Sequence, residues 1–544
     1  MVRAVGRFLL LLLAALTGGG LLALGHEPVA CWPAALLGAG LLGSLLVRLR
    51  PGTAALLGLV AGLAFYLPLL RFIEVSLNTT WVWLVLGLLE ASFVAVGGAV
   101  AAAVLGPVAL PLARLPARKR AHAAVGALPL LGRGSLVAVG WAVLWTASDL
   151  ARSHFPFGGF PWGNLAYTQV DSPLLRYVPW ISAVGLTGLV VLLGTFVSEA
   201  AVALVGRRRS GAMLLGVLVC LVLPIPSFGT QPMTGELEVA AVQGNVARPG
   251  LDAFSRASEV TTNHMAGTLA ASARARQAGI QIDIVLWPEN AADLDPRAYP
   301  EIEALVDQAV HDVNAPIVVG AVRYEKTATG RVRYNELVVR TAEKNYGQRY
   351  TKQRPAPFAE YLPLRGLVTS LTSLSNLLTV DMLPGRAPAV LAVPARSLGR
   401  EVKLGVGICF EVGVDQVMRQ AAAGELLVIP TNNATFGWTS EAEQQLAMTR
   451  LRAAELSRAG VQVSTVGVSG IIDPEGQLLQ ATELFTADTM LARLPLRTVV
   501  TPAVWVGPWV ERAVGAIGGL CVLGLGVRAL QSRWKKREEA AQGE

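Results

Sequence analysis

The chain has 544 residues, 53% of them hydrophobic and only 15% charged, with a formal net charge of +8. Soluble domains carry about a quarter charged residues, so this composition excludes an ordinary soluble enzyme and assigns long stretches of the chain to lipid. Nor does the positive charge indicate a nucleic-acid partner: between Gln231 and Val510 there are 25 Lys and Arg against 28 Asp and Glu. The basicity lies outside that stretch, where it suits anionic lipid headgroups.

In chain order, apolar stretches near the roughly 20 residues that cross a bilayer fall at 8–24, 30–47, 53–70, 81–112, 135–150, 174–199, 212–228 and 513–529. They predict a bundle of eight transmembrane helices, seven within a first unit, 1–228, and one in a C-terminal unit, 506–544, that ends in a basic tail. The fourth stretch is longer than one upright helix requires, which predicts tilting or a bend at Gly97 and Gly98. The first reads as a retained span, because further spans follow it and no small-residue cleavage site does.

Loops on one side hold 17 Lys and Arg, including Arg114, Arg118, Lys119, Arg120, Arg207, Arg208 and Arg209; the other side holds 3, Arg71, Arg152 and Arg176. Positive loops stay in the cytoplasm, so both termini are expected there and the unit 229–505 outside. Two features inside the first unit stand out. Residues 153–171 place Phe155, Phe157, Phe160, Trp162 and Tyr167 among glycines and prolines, the composition of the headgroup level. This is either a plain aromatic belt or the lining of a lipid entry in which Trp162 packs on substrate. Glu90 lies inside a span and is expected to be paired or protonated, and Asp149 with Arg152, three apart at a helix end, to form an ion pair.

From Glu238 onward strand-like runs alternate with helical patterns, the signature of an α/β fold. ELEVAAVQGN, IDIVLWPEN, APIVVGAVRY, VKLGVGICFEV, ELLVIPTNN and VQVSTVGVSG read as strands, with helices ending near Ala278, over 299–313 and over 440–458. Hairpins are expected around 343–347 and 473–476.

Cys31, Cys220 and Cys521 fall in or beside spans, which leaves Cys409 alone in the exported unit. A lone thiol is either inert or kept for its reactivity, and local sequence decides. Three apolar runs each deliver an ionisable residue at their end, the edge where α/β sheets bind ligands. IVLWPEN delivers Glu289, RYTKQRPAPFAEYLP delivers Lys352 and Glu360, and LGVGICFEV delivers Cys409 with Glu411. A thiol of pKa about 8.5 needs a base or a cation to attack efficiently. Glu289 can take the proton and return it, and Lys352 with the backbone N–H of Phe410 can hold an oxyanion. His264 and His311 sit in helical stretches, and no metal-ligand spacing occurs, so no metal or cofactor is expected.

WPE, YTK with PFAEY, and GICFE, in that order, resemble the three motifs of the carbon-nitrogen hydrolase, or nitrilase, superfamily, over about 237–496. The resemblance implies a nitrilase-like α-β-β-α sandwich with Glu289 as general base, Lys352 as oxyanion lysine and Cys409 as nucleophile. Glu360 takes the place of an accessory glutamate, and Glu411 and Asn432 match positions around the pocket. Two departures occur: Ala359 stands where Gly is frequent, and Phe410, standing where Tyr is frequent, lacks a hydroxyl.

With eight spans and the segment HFPFGGFPWGNLAYTQ, the whole chain resembles the apolipoprotein N-acyltransferase family of the bacterial cytoplasmic membrane. This implies a monomeric, multi-pass enzyme without cofactor. A phospholipid, typically phosphatidylethanolamine, would donate its acyl chain through a Cys409 thioester to the amino group of a diacylglyceryl-cysteine apolipoprotein. Two other readings stay open. One is a membrane-tethered amidase or nitrilase-type hydrolase using the same three residues with water. The other is a transporter carrying a degenerate enzyme domain, against which the scarcity of ionisable groups inside the spans argues.

Overall fold

The computed structural model describes residues 2–109, 130–205, 211–222, 225, 228, 233–246, 257–292, 294–328, 330–343, 346–372 and 378–541. The loop positions Arg114, Arg118, Lys119, Arg120 and Arg207 to Arg209 lie outside these residues, as do 110–112 of the fourth expected span and part of the seventh.

Among the described residues six helices are long and apolar enough to cross a membrane: Arg3–Leu24, Pro51–Leu69, Thr80–Ala109, Gly132–His154, Leu175–Leu204 and Pro502–Trp534. Trp32–Leu46 is a shorter apolar helix, and the seventh expected span is represented by Gly211–Val222, 12 residues. At 1.5 Å per residue these two reach about 22 and 18 Å, less than a hydrocarbon core of about 30 Å. Outward-facing Leu10, Leu13, Trp509, Leu520 and Leu523 give the bundle an apolar exterior, the surface lipid requires.

Close backbone approach holds the bundle together, as expected where no hydrophobic effect drives helices together in lipid. A Cβ on Gly62 would lie 2.6 Å from the Ala91 Cα, so Pro51–Leu69 and Thr80–Ala109 touch at a spot that only glycine permits. Thr80–Ala109 is one continuous helix of 30 residues, with no break at Gly97 and Gly98. Those glycines make room for neighbours instead, Gly98 for Leu46 and Gly97 for Ser148. The break lies in Val178–Val205, at Ser182 with φ 65° and ψ 170°. There the Ala183 N–H donates to the Glu455 carboxylate at 2.9 Å, which replaces a lost helical acceptor.

Two mixed six-stranded sheets form the rest. The first runs in the order β12 (Asp488–Leu496), β1 (Gly235–Gln243), β2 (Ile284–Leu286), β3 (Ile317–Thr327), β4 (Gly330–Arg340), β5 (Arg349–Thr351). The second runs β11 (Leu478–Ala481), β10 (Gly470–Ile472), β9 (Gly460–Ser464), β8 (Leu426–Thr431), β7 (Arg400–Val406), β6 (Val390–Ala395). β1, β2 and β3 are parallel, as are β7, β8 and β9, and the flanking pairs are antiparallel. Both expected hairpins are present, as β4–β5 and β10–β11.

Strand periodicity sorts the core. Ala240, Val242, Val285, Trp287, Ile317 and Val319 join one cluster with Ala271 and Ala275 of the helix Ala257–Gln277 and with Ile302 and Val306 of Pro300–Val313. Their neighbours Val239, Ala241, Ile284, Leu286 and Val318 join another with Leu404, Val406, Ile429 and Val461 of the second sheet. That second cluster continues through Trp162 and Leu165 to Leu42 and Trp141 inside the bundle, so one apolar core spans both units.

The helix Glu441–Leu456 lies between them. All its residues except Glu443 are buried despite its polar composition. Arg450 pairs with Asp171 at 2.6 Å, and the Gln444 amide donates to the Leu69 carbonyl at 3.2 Å. Its polar face is thus spent on the membrane unit, not on water.

Candidate active site

Three chain segments meet at the ends of the strands. Glu289 follows β2 through Trp287 and Pro288. Its Oε1 accepts from Asn335 Nδ2 at 2.6 Å, and its backbone carbonyl accepts from the Thr465 hydroxyl at 3.1 Å. Lys352 follows β5, and its N–H donates to the Asn335 carbonyl at 2.9 Å. Its ammonium lies 3.0 Å from Glu289 Oε1 and 2.8 Å from Glu360 Oε1. The other Glu360 oxygen accepts from the Ala356 N–H at 2.6 Å, which fixes the loop that carries it.

Cys409 comes just after β7 with φ 52°, a left-handed conformation that a non-glycine residue holds only under constraint. It opens a 3-10 turn, Cys409–Gly413. The constraint is Glu411, whose Oε2 accepts from the Ile408 N–H at 2.8 Å while Oε1 accepts from the Gln353 and Arg354 N–H groups at 2.7 and 2.9 Å. The Tyr350 hydroxyl, 2.9 Å away, adds a fourth donor. One buried carboxylate therefore ties the cysteine turn to the lysine segment. Because the turn first closes from the Glu411 N–H to the Ile408 carbonyl, the N–H groups of Cys409 and Phe410 precede any bond within it.

Electrostatics couple the three groups. Burial pulls the Lys352 ammonium down, but the charges of Glu289, Glu360 and Cys409 outweigh it and hold the pKa well above the usual lysine value. Burial pushes Glu289 up, Lys352 pulls it back and Glu360 pushes it further, leaving it above the usual carboxylate range. Burial, and then the Glu289 charge, push the Cys409 thiol well up against the opposing pull of Lys352. The shifts favour an ammonium at Lys352, a neutral thiol at Cys409 and a Glu289 carboxyl that holds a proton more readily than a free one.

The aromatic loop divides. Phe155 and Phe157 are exposed, whereas Trp162 and Tyr167 are buried. Trp162 stacks beneath Phe410, centroids 6.3 Å apart and planes 9° apart, and Phe160 stacks on Trp162. With 3% of its surface exposed, Trp162 supports Phe410 and has no open face of its own. Its indole N–H donates to Gln444 at 2.9 Å. Arg152 holds the loop from below, donating to the Phe160 and Trp162 carbonyls at 2.6 and 2.5 Å. It also pairs with Glu90 at 3.0 Å and Asp149 at 2.5 Å, so both expected pairings are present and share one guanidinium.

Asn432 spends its side-chain oxygen on the Ala434 N–H at 3.2 Å, in a local turn. Its neighbour Asn433 points into a buried polar group with Glu441 and Gln445, and the Gln445 amide reaches Cys409 Sγ at 3.5 Å. Sequence reasoning missed these three. The available signal was a helix polar on every face, the mark of an element enclosed between units.

Residues 18–196 match the model for the apolipoprotein N-acyltransferase N-terminal domain, and residues 238–501 that for carbon-nitrogen hydrolase. The apolipoprotein N-acyltransferase of Mycolicibacterium smegmatis is 34% identical over 94% of this chain and 84% of its own. The chain belongs to the apolipoprotein N-acyltransferase family. The relative of that name from Azotobacter vinelandii is 29% identical over 98% of this chain and 96% of its own. Among solved structures, Saccharomyces cerevisiae Nit3, a member of branch 10 of the nitrilase superfamily, superposes with a TM-score of 0.35 and 15% identity, covering 49% of this chain and 92% of that one. Membership accounts for the pairing of a nitrilase-type domain with a multi-pass bundle, and the family's two domain models divide where the bundle gives way to β1.

Proposed function

We propose that the chain transfers an acyl chain from a membrane phospholipid, by way of a thioester on Cys409, to the α-amino group of an N-terminal diacylglyceryl-cysteine on an apolipoprotein. The observation that carries this reading is the convergence of Cys409, Lys352 and Glu289 directly above a Phe410–Trp162 stack rooted in the bundle. Both substrates are anchored in lipid, and a site at the membrane surface receives them without drawing acyl chains into water, which costs roughly 0.8 kcal/mol per methylene.

In the first half-reaction Glu289 takes the thiol proton and Cys409 sulfur attacks the ester carbonyl. Lys352 Nζ and the Phe410 N–H hold the oxyanion, each donor worth on the order of 3 kcal/mol in the transition state. Collapse breaks the ester C–O bond, and the departing glycerol oxygen takes the proton from Glu289. In the second half-reaction the amine attacks the thioester carbon and gives a proton to Glu289. The C–S bond breaks with its electron pair on sulfur, and Glu289 returns the proton there. Phosphatidylethanolamine is the proposed donor, and a monomer suffices because one chain supplies every group.

The bundle is proposed to cross the inner membrane eight times, with units 1–228, 229–505 and 506–544 and both termini cytoplasmic. Supporting this orientation, the second unit rests on the arginine-poor loops through Gln444 to the Leu69 and Glu27 carbonyls, while Arg48, just past the other end of Trp32–Leu46, pairs with Glu199 of the helix Val178–Val205. The split of β1, β2 and β3 residues between two clusters supports an α-β-β-α sandwich.

Mass spectrometry of the protein purified from membranes tests the chemistry. An acyl adduct on the Cys409 peptide that hydroxylamine removes, and that a diacylglyceryl peptide discharges as an amide, is expected. Discharge only as free fatty acid would establish the hydrolase reading instead, and transfer persisting in Cys409→Ala would end both.

A further inference from the structure

Resting on the reading of Cys409 as nucleophile, we infer that Gln445 is a further catalytic residue, its side-chain N–H donating to the Cys409 sulfur in an orientation fixed by a chain of hydrogen bonds that starts at the Gly467 backbone. The Gly467 N–H donates to Ser464 Oγ at 2.8 Å, so the Ser464 hydroxyl is free to donate its own proton. It lies 2.6 Å from Asn433 Oδ1, which the Thr431 hydroxyl also reaches at 2.9 Å. Two donors on Oδ1 turn the Asn433 amide nitrogen the other way. Nδ2 donates to Glu441 Oε2 at 2.6 Å and to Gln445 Oε1 at 2.9 Å. With Oε1 accepting, the nitrogen end of Gln445 faces Cys409 Sγ at 3.5 Å.

Ser464, Asn433, Glu441 and Gln445 are each at most 2% exposed, so no solvent offers an alternative partner. Reversing both amides would leave the Thr431 and Ser464 hydroxyl protons without an acceptor among the described hydrogen bonds, and buried donors are rarely left so.

The chemical use is in the second half-reaction. As the thioester C–S bond breaks, the electron pair comes to rest on sulfur, and an N–H already directed there stabilises it until Glu289 supplies the proton. The charged and titratable groups facing this sulfur are Glu289 beyond β2, Lys352 beyond β5 and Glu441 on the same helix as Gln445. Glu360 lies across Lys352, and Glu411 closes the cysteine's own turn.

Iodoacetamide alkylation of Cys409, followed peptide by peptide across pH on the detergent-purified full chain, tests this without any lipid substrate. Gln445→Leu is expected to move the midpoint up by about one pH unit and slow alkylation at pH 7 about tenfold, the low end for a hydrogen bond to a charged group. Asn433→Leu, which never touches sulfur, should give a similar shift, and the double variant no more than either alone. Gln445→His, which keeps an N–H, should recover most of it. A parental midpoint in folded Gln445→Leu, or a downward shift showing that a carbonyl had faced the thiol, would overturn the inference. Because alkylation needs no acyl transfer, failure to find an acyl adduct would remove the proposed function and leave this result standing.

Discussion

Glu441 offers the sharpest quantitative test of the buried polar group beside Cys409. Its side chain is 1% exposed and, among the described residues, takes one hydrogen bond, from Asn433 at 2.6 Å. Burial outweighs that bond, the like charges of Glu289 and Glu443 add to it, and together they push the carboxyl up to about 8. In the unfolded chain it titrates near 4.3. Between these values the native state binds more protons than the unfolded state, so unfolding free energy falls as pH rises from about 4.5 to about 8, and above that the penalty is constant. A shift of about 3.5 units at about 1.4 kcal/mol each gives an upper bound near 5 kcal/mol, and relaxation in a polarisable interior reduces it to about 2–4. Glu441→Gln keeps an acceptor for Asn433 and carries no charge. Its apparent melting temperature, followed by tryptophan fluorescence in detergent, is expected to match the parent at pH 5 and exceed it by about 2–7 °C at pH 8. An offset independent of pH, or a parent that gains on the variant as pH rises, would refute the reasoning.

Three further outcomes follow from the same geometry. Lys352→Met leaves Glu289 and Glu360 without their shared cation and the oxyanion with only the Phe410 N–H of its two proposed donors, so thioester formation on Cys409, timed by mass spectrometry, should slow by on the order of 100- to 1,000-fold. Glu411→Gln cannot accept from both the Ile408 N–H and the Gln353 and Arg354 N–H groups. Stranding a buried donor costs about 1–3 kcal/mol, and acylation should slow about tenfold or more with little change in lipid KM; a parental rate would show that the turn needs no such tie. Arg152→Met strips the cation from Glu90 and Asp149 and should lower stability by about 3–5 kcal/mol. Faster protease cleavage within 153–171 would report it, and adding Glu90→Gln should restore part of the loss.

Lys352 follows Arg349–Thr351, an edge strand exposed at Arg349, and was legible from its motif alone. Glu289 and Cys409 were legible as candidates because each follows an apolar run, and a run that must be buried on both faces has one open end at which to place a polar group. The parallel strands were legible for the same reason. β6 and β12 were not, and both contain a proline, Pro394 and Pro495. Each is the edge strand of its sheet, where a missing N–H on the open side breaks no ladder, so a residue that argues against a strand is accommodated there. Gln445 and Asn433 were illegible because their part depends on a helix meeting a turn 36 residues away, a tertiary fact that no local period encodes. The eight-span expectation rested on hydropathy alone, which measures apolar length but not where a helix stops.

The same packing bears on why a nitrilase-type site would hand its acyl group to an amine and not to water. A thioester must outlast the exchange of one lipid-anchored molecule for another, and water is present throughout. Lys352 and Glu289 are buried, Phe410 is covered from below by Trp162, and Gln444 donates to a carbonyl at the end of the helix Pro51–Leu69. These contacts cross from one unit to the other, so the floor of the site consists of the membrane bundle itself. Water enters such a floor poorly, and donors fixed in place there act in a low dielectric where they are worth more than in solution. On the proposed mechanism, weakening the contacts of Trp162 with Phe410 and of Gln444 with Leu69 would therefore raise the share of acyl chain lost to water, since the same contacts that cover Phe410 join the two units.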